Sequence, residues 1–107
     1  MRQHFVTGLI GETEVALHYM RQGWEVYWPF SGSSSLDMIC TKGRRVKRVQ
    51  VKTSGTKRNG SWMVSVRGLD RTLNDVLVVY LTKENRVVEI KMKDVPLRKR
   101  QIRIPCN

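Results

Sequence analysis

Six consecutive apolar residues, Val76-Leu77-Val78-Val79-Tyr80-Leu81, constrain this chain more than any other feature. A half-exposed strand alternates apolar and polar positions, whereas a run with no polar position is a strand buried on both faces. Six residues suit a strand and are too few for a helix. The chain therefore needs a central strand with packed material on both sides.

The remaining elements can be ordered around it. Gly8 to Arg21 reads as a helix, with Leu9, Ile10, Ala16, Leu17 and Met20 near the spacing of an apolar stripe and Gly23 where a helix ends. Trp24 to Trp28 alternates as a strand, with Trp24, Val26 and Trp28 inward, and Pro29 stops it. Ser31 to Ser35 is a polar loop, Leu36 to Cys40 a short strand, and Lys42-Gly43-Arg44 a hairpin turn. Val46 to Thr53 follows as a strand with Val49 and Val51 inward and Arg48, Gln50 and Lys52 on the other face. Thr56 to Gly60 is a polar turn, Trp62, Val64 and Val66 mark a strand, and Arg86 to Met92 is another. Val95-Pro96 opens an irregular basic segment over about 93–107. One helix leading into a mostly antiparallel sheet predicts a mixed α/β (α+β) core. At 107 residues the chain is expected to be one domain.

Charge narrows the function. Twenty Lys and Arg against nine Asp and Glu give +11, which points to a polyanionic partner, usually nucleic acid and less often an anionic membrane surface. No apolar stretch of about 18 residues occurs, so no membrane span is expected. Met1 to Ile10 lacks an export signal, so an intracellular protein is expected. That favours reduced thiols at Cys40 and Cys106, with a disulfide as the alternative, and neither His4 nor His18 is near a cysteine to make a zinc site.

Three features carry chemistry. Asp37 follows the serine loop on a short strand, Gln50 and Lys52 share one face of the next strand about 6.5–7 Å apart, and Glu12 follows Gly11 in the first helix. If the strands pair as a hairpin, these side chains converge. Hard divalent cations take oxygen ligands: Glu12 and Asp37 would supply charge, Gln50 an amide oxygen, and Val51 its backbone carbonyl. Such a cation, Mg²⁺ or Mn²⁺, polarises a scissile phosphate and activates water, while Lys52 orients that water or offsets developing charge. Each residue alone has a plainer reading: a solvated strand face for Gln50 and Lys52, a strand-end cap for Asp37, a first-turn acid for Glu12. Glu14 is the rival acid on the same helix. The order of all four on successive elements shifts the balance toward a site.

Gly11-Glu12, Trp24-Glu25-Val26, Leu36-Asp37 and Val49-Gln50-Val51-Lys52-Thr53 together resemble the PD-(D/E)XK nuclease pattern. Leu36 stands where that pattern has Pro, and Gln50 where it has an acid. The Gln-Xaa-Lys variant is similar to intron-encoded homing endonucleases of the superfamily. The Glu-bearing helix and small size are similar to archaeal-type Holliday junction resolvases, enzymes of DNA recombination. The resemblance implies a restriction-endonuclease-like core, a divalent metal, a DNA substrate, and a homodimer or higher oligomer. It leads to the expectation of a structure-selective nuclease. A site-specific nuclease, a catalytically silent DNA-binding module and an RNA-binding protein are the alternatives.

The bases group in two blocks. Between Asp37 and Asp70 there is no acid, and Arg44, Arg45, Lys47, Arg48, Lys57 and Arg58 are candidate phosphate contacts there. Arg98, Lys99 and Arg100 are candidates in the C-terminal segment, and Ser33, Ser34 and Ser35 in the loop before Asp37. No base-reading motif is present, so recognition by charge and shape is expected. Trp24, Trp28 and Trp62 are read as core or interface residues rather than a stacking platform.

Overall fold

The computed structural model describes residues 3–31, 36–96 and 98–107. A helix, α1 (Gln3–Arg21), precedes eight strands: β1 (Glu25–Tyr27), β2 (Met38–Lys42), β3 (Arg45–Ser54), β4 (Lys57–Arg58), β5 (Ser61–Ser65), β6 (Val76–Leu81), β7 (Arg86–Lys91) and β8 (Gln101–Pro105). A 3₁₀ turn at Met92–Asp94 follows β7. Five strands form a mixed sheet in the order β1-β2-β3-β6-β7, in which only β3 and β6 run parallel. The other three form a small antiparallel sheet in the order β4-β5-β8.

The apolar run is β6, and all six of its residues are buried. Its alternation divides them between two cores. Val76, Val78 and Tyr80 pack with Val15, Ala16 and Tyr19 of α1 and with Trp24, Met38, Cys40 and Val49. Leu77, Val79 and Leu81 pack with Trp62, Val64 and Ile104 of the small sheet and with Val66, Met92 and Val95. The layers are therefore helix, large sheet, small sheet, with β6 covered on both faces as its sequence requires. One helix over a mixed sheet makes this an α/β fold.

Five expectations need correction. The helix begins at Gln3, not Gly8. Its buried face runs through Gly11, Val15, Ala16 and Tyr19, while Leu9, Ile10 and Met20 are exposed. The two faces hold similar numbers of apolar residues, and the helix buries the one bearing small residues that permit close approach to the sheet. Trp28 is exposed, because β1 ends at Tyr27 and no longer fixes its alternation; Trp24 and Trp62 are buried. The polar turn after β3 carries a two-residue strand, β4, closed by Asn59 and Gly60 at positive φ. The basic C-terminal segment is not wholly irregular: β8 pairs along all of β5, with Ile102 opposite Val64 and Ile104 opposite Trp62.

Both cysteines are free thiols. Burial pushes the Cys40 thiol up to about 11. Among the described residues, no helix is long and apolar enough to cross a membrane.

Candidate active site

The site lies where β3 outruns its neighbour. β2 pairs with Arg45 to Val49 and begins only at Met38, so from Gln50 onward that edge of β3 is open. Asp37, just before β2, closes the step: its N–H donates to the Val49 carbonyl at 2.9 Å. Its Oδ2 accepts the Val51 N–H at 2.7 Å. In an extended chain the N–H and C=O of one residue point to the same side. The Val51 carbonyl therefore faces the same open edge.

Helix α1 brings Glu12 over this edge. Gly11 is what allows it: a Cβ there would stand 2.1 Å from Thr53 Oγ1, so any side chain would hold the helix off β3. The Glu12 and Asp37 carboxyls lie within hydrogen-bonding reach of each other. Burial, then hydrogen bonding to Asp37 and the charge of Asp37, raise Glu12 to about 7. Two acids forced together in a chain of net charge +11 form a site that a cation would relieve.

A pocket of about 740 Å³ opens here, lined by Thr7, Gly8, Glu12, Asp37, Val51, Lys52 and Thr53. Lys52 Nζ donates to the Arg67 carbonyl at 3.0 Å. Three of the four expected site residues, Glu12, Asp37 and Lys52, thus line one pocket, as does Val51. Glu14 is not among them; its charge acts on Tyr80 instead.

Gln50 stands apart. It is buried and does not line the pocket. Its Oε1 accepts the Asp70 N–H at 3.3 Å and Asn74 Nδ2 at 3.2 Å. Both lone pairs are thereby engaged, so this oxygen is not offered to a metal in this arrangement. Gln50 instead ties β3 to the 66–75 segment, the segment whose Arg67 carbonyl holds Lys52. Asp70 braces that segment by accepting from the Thr72 and Leu73 N–H groups at 3.0 and 2.9 Å.

The donor set suits a hard cation. Among the described residues no three His, Cys, Asp or Glu side chains converge, so Glu12, Asp37 and the Val51 carbonyl would need oxygens from substrate or water to complete a shell. Thr7, Gly8 and Thr53 were absent from the sequence expectation. Gly8 lies one turn before Glu12, on the same helix face, and Thr53 is the next outward position after Val51 on the open edge; both signals are periodicities.

The expected phosphate contacts divide. Arg44 is exposed at the β2–β3 turn. Arg45 CZ lies 4.9 Å and Lys47 Nζ 4.7 Å from the Trp24 ring centre. Lys47 also pairs with Glu89 and Arg48 with Asp75, each at 2.8 Å. Lys57 and Arg58 are exposed on β4. Arg98, Lys99 and Arg100 are exposed just before β8. Ser33, Ser34 and Ser35 lie outside the described residues.

Three likenesses bear on this arrangement. The sequence profile of the PD-(D/E)XK endonuclease family matches residues 3–95. Protein 5.3 of Escherichia phage T7 is 34% identical over 56 residues, which are 52% of this chain and 48% of that protein. The chain thus spans about half the length of this curated relative. A solved structure of a bacterial homing endonuclease, I-Ssp6803I, matches the whole of this chain and 78% of its own at a TM-score of 0.84 and 21% identity. At that identity the likeness is one of fold.

Proposed function

The chain belongs to the PD-(D/E)XK endonuclease family, and from that premise we propose that it is a divalent-metal-dependent DNA endonuclease, selective for branched DNA such as a four-way junction. All 107 residues form one nuclease domain, acting inside the cell as a homodimer or higher oligomer. The observation that carries the reading is the acid pair: Glu12 and Asp37 meet at an open strand edge in the pocket that Lys52 also lines.

Glu12, Asp37 and the Val51 carbonyl would hold Mg²⁺ or Mn²⁺. When bound, the cation polarises the scissile phosphate and makes the attacking water more acidic. The rest belongs to the chain. The Val51 N–H fixes Asp37 in one orientation. The Gly11–Thr53 approach sets how deeply Glu12 enters. Lys52 donates into the pocket, orients water and offsets the negative charge that grows on phosphorus-bound oxygens. Gln50 is a positioning residue, because the segment it anchors carries the carbonyl that aims Lys52.

Selectivity for shape follows from what binds. The sequence carries many bases and no helix-turn-helix or zinc-finger pattern. A symmetric dimer sets two pockets against two strands, as junction resolution requires. The fold likeness to a homing endonuclease favours a second reading, cleavage at a specific duplex sequence.

The test is cleavage of a labelled four-way junction beside a linear duplex of equal length, in Mg²⁺, Mn²⁺ or EDTA. Metal-dependent paired nicks on the junction alone support the first reading. A sequence-dependent cut on the duplex establishes the second. Binding to both with no cut on either, or on any linear target offered, leaves a silent DNA-binding module and overturns the nuclease.

A further inference from the structure

A second cleft opens where the end of β5 meets the start of β8. It measures about 590 Å³ and is lined by Ser65, Arg67, Lys99, Arg100 and Gln101. Its chemistry is one-sided: three cations, two neutral hydrogen-bonding side chains and no carboxylate. Among the described residues the ion pairs are Lys47–Glu89, Arg48–Asp75 and Arg86–Glu84. None of the three cleft cations has an acid partner, so their mutual repulsion stands uncompensated until an anion enters.

The cleft is a built feature rather than a loose tail. Ser65 and Gln101 are opposite each other in the β5–β8 ladder. The Val66 N–H donates to the Arg100 carbonyl at 2.9 Å, holding the two walls together. It is also next to the active site. Arg67 lines the cleft, while its carbonyl accepts the hydrogen bond from Lys52 at 3.0 Å.

Resting on the nuclease reading, we propose that this cleft is a second phosphate site, seating a backbone phosphate of the DNA strand whose scissile phosphate lies in the Glu12–Asp37 pocket. Arg67 and Arg100 present planar forks suited to phosphate oxygens, and Lys99 adds a point charge. Ser65 and Gln101 donate neutral hydrogen bonds. The shared residue Arg67 makes strand seating and Lys52 placement one event.

The test measures binding of labelled duplex and junction by anisotropy, in EDTA, from about 50 to about 200 mM salt. Arg67→Ala and Arg100→Ala should each flatten the slope of log affinity against log salt by about 0.9 and weaken binding about tenfold. Lys83→Ala, an equal loss of charge in the exposed turn after β6 at a residue that lines neither pocket, should do neither. Arg67→Lys, which keeps charge and backbone, should recover the slope and report that the fold is intact. An unchanged slope in both Ala variants, in a wild type that still cuts DNA, overturns the cleft alone. A wild type that neither binds nor cuts DNA sinks the nuclease reading first. Inorganic phosphate that shifts the Arg67 and Gln101 amide resonances while the DNA slope stays unchanged would make this a free-phosphate site and overturn the strand assignment.

Discussion

In the first half of β3, Lys47 pairs with Glu89 at 2.8 Å and sits over the rings of Tyr19 and Trp24, and Arg48 forks onto Asp75. In the second half, Lys52 donates to a backbone carbonyl, and the Glu12 and Asp37 carboxyls meet beside it in one pocket. The same strand thus neutralises charge at one end and concentrates it at the other. The pKa directions agree. Burial alone would push Glu89 up, yet the bonds from Lys47 and Tyr19 hold it below its ordinary value. The Arg48 guanidinium holds Asp75 low. Glu12 moves the opposite way, to about 7. Satisfied charges fasten the first half of the strand; the crowded acid pair makes the second half the candidate site.

If that division holds, variants at the two ends should fail in different assays. The largest effect is expected at the working end. Asp37→Asn or Lys52→Ala should lower cleavage by about 10³-fold, from several kcal/mol of lost charge stabilisation, with thermal stability and DNA binding kept. A matching loss from Lys47→Met would erase the distinction. Next comes Gly11→Ala, which should cut turnover by about 10²-fold by lifting Glu12 out of reach. Adding Thr53→Ala removes the oxygen a Cβ would strike and leaves the Thr53 Cβ position at 3.4 Å, so the double variant should regain most of the loss. Failure of that rescue would show that the close approach does not set Glu12.

At the fastened end, Lys47→Met should cost about 1–2 kcal/mol of stability, the worth of a part-buried charged hydrogen bond with its ring contacts. Turnover of the folded fraction should be unchanged, and a denaturant curve beside a single-turnover assay checks both. The smallest effect is the pH response. Folded Glu12 holds its proton to about 7, against 4.5 in the unfolded chain. The folded state therefore binds more protons between those values. The stability this gives is full below about pH 4.5 and is lost as pH rises through about 7. The melting temperature of the metal-free protein should fall by a few degrees from about pH 5 to about pH 8, and Glu12→Gln should flatten that fall.

The sequence disclosed the parts of this fold that depend on periodicity. β6 announced itself by having no polar position, and the alternation from Val46 to Thr53 announced a strand. It disclosed less where two patterns compete. Leu9, Ile10 and Met20 make as good an apolar stripe as Val15, Ala16 and Tyr19, and the close approach of Gly11 to Thr53 lies on the face that turns inward. β8 was hidden because Arg103 and the bases before Gln101 mask the alternation of Ile102 and Ile104. Within the site, Glu12, Asp37 and Lys52 stood out through the order of a known pattern. The engagement of Gln50 could not be read, since its partners Asp70 and Asn74 are 20 and 24 residues away and carry no motif. For the same reason, the nearly uniform basic block before Asp70 concealed which cations find an acid across the sheet and which do not.

The claim that the second half of β3 holds the metal can be tested without knowing the DNA target. Mn²⁺ would be titrated into ¹⁵N-labelled protein and the paramagnetic broadening of each amide recorded, for wild type and Asp37→Asn. Broadening is expected to be strongest at Gly8, Glu12, Asp37 and Val51, to weaken along β3 toward Lys47, and to disappear in Asp37→Asn. Broadening centred on Glu89 or Asp75, or an unchanged pattern in the variant, would contradict it.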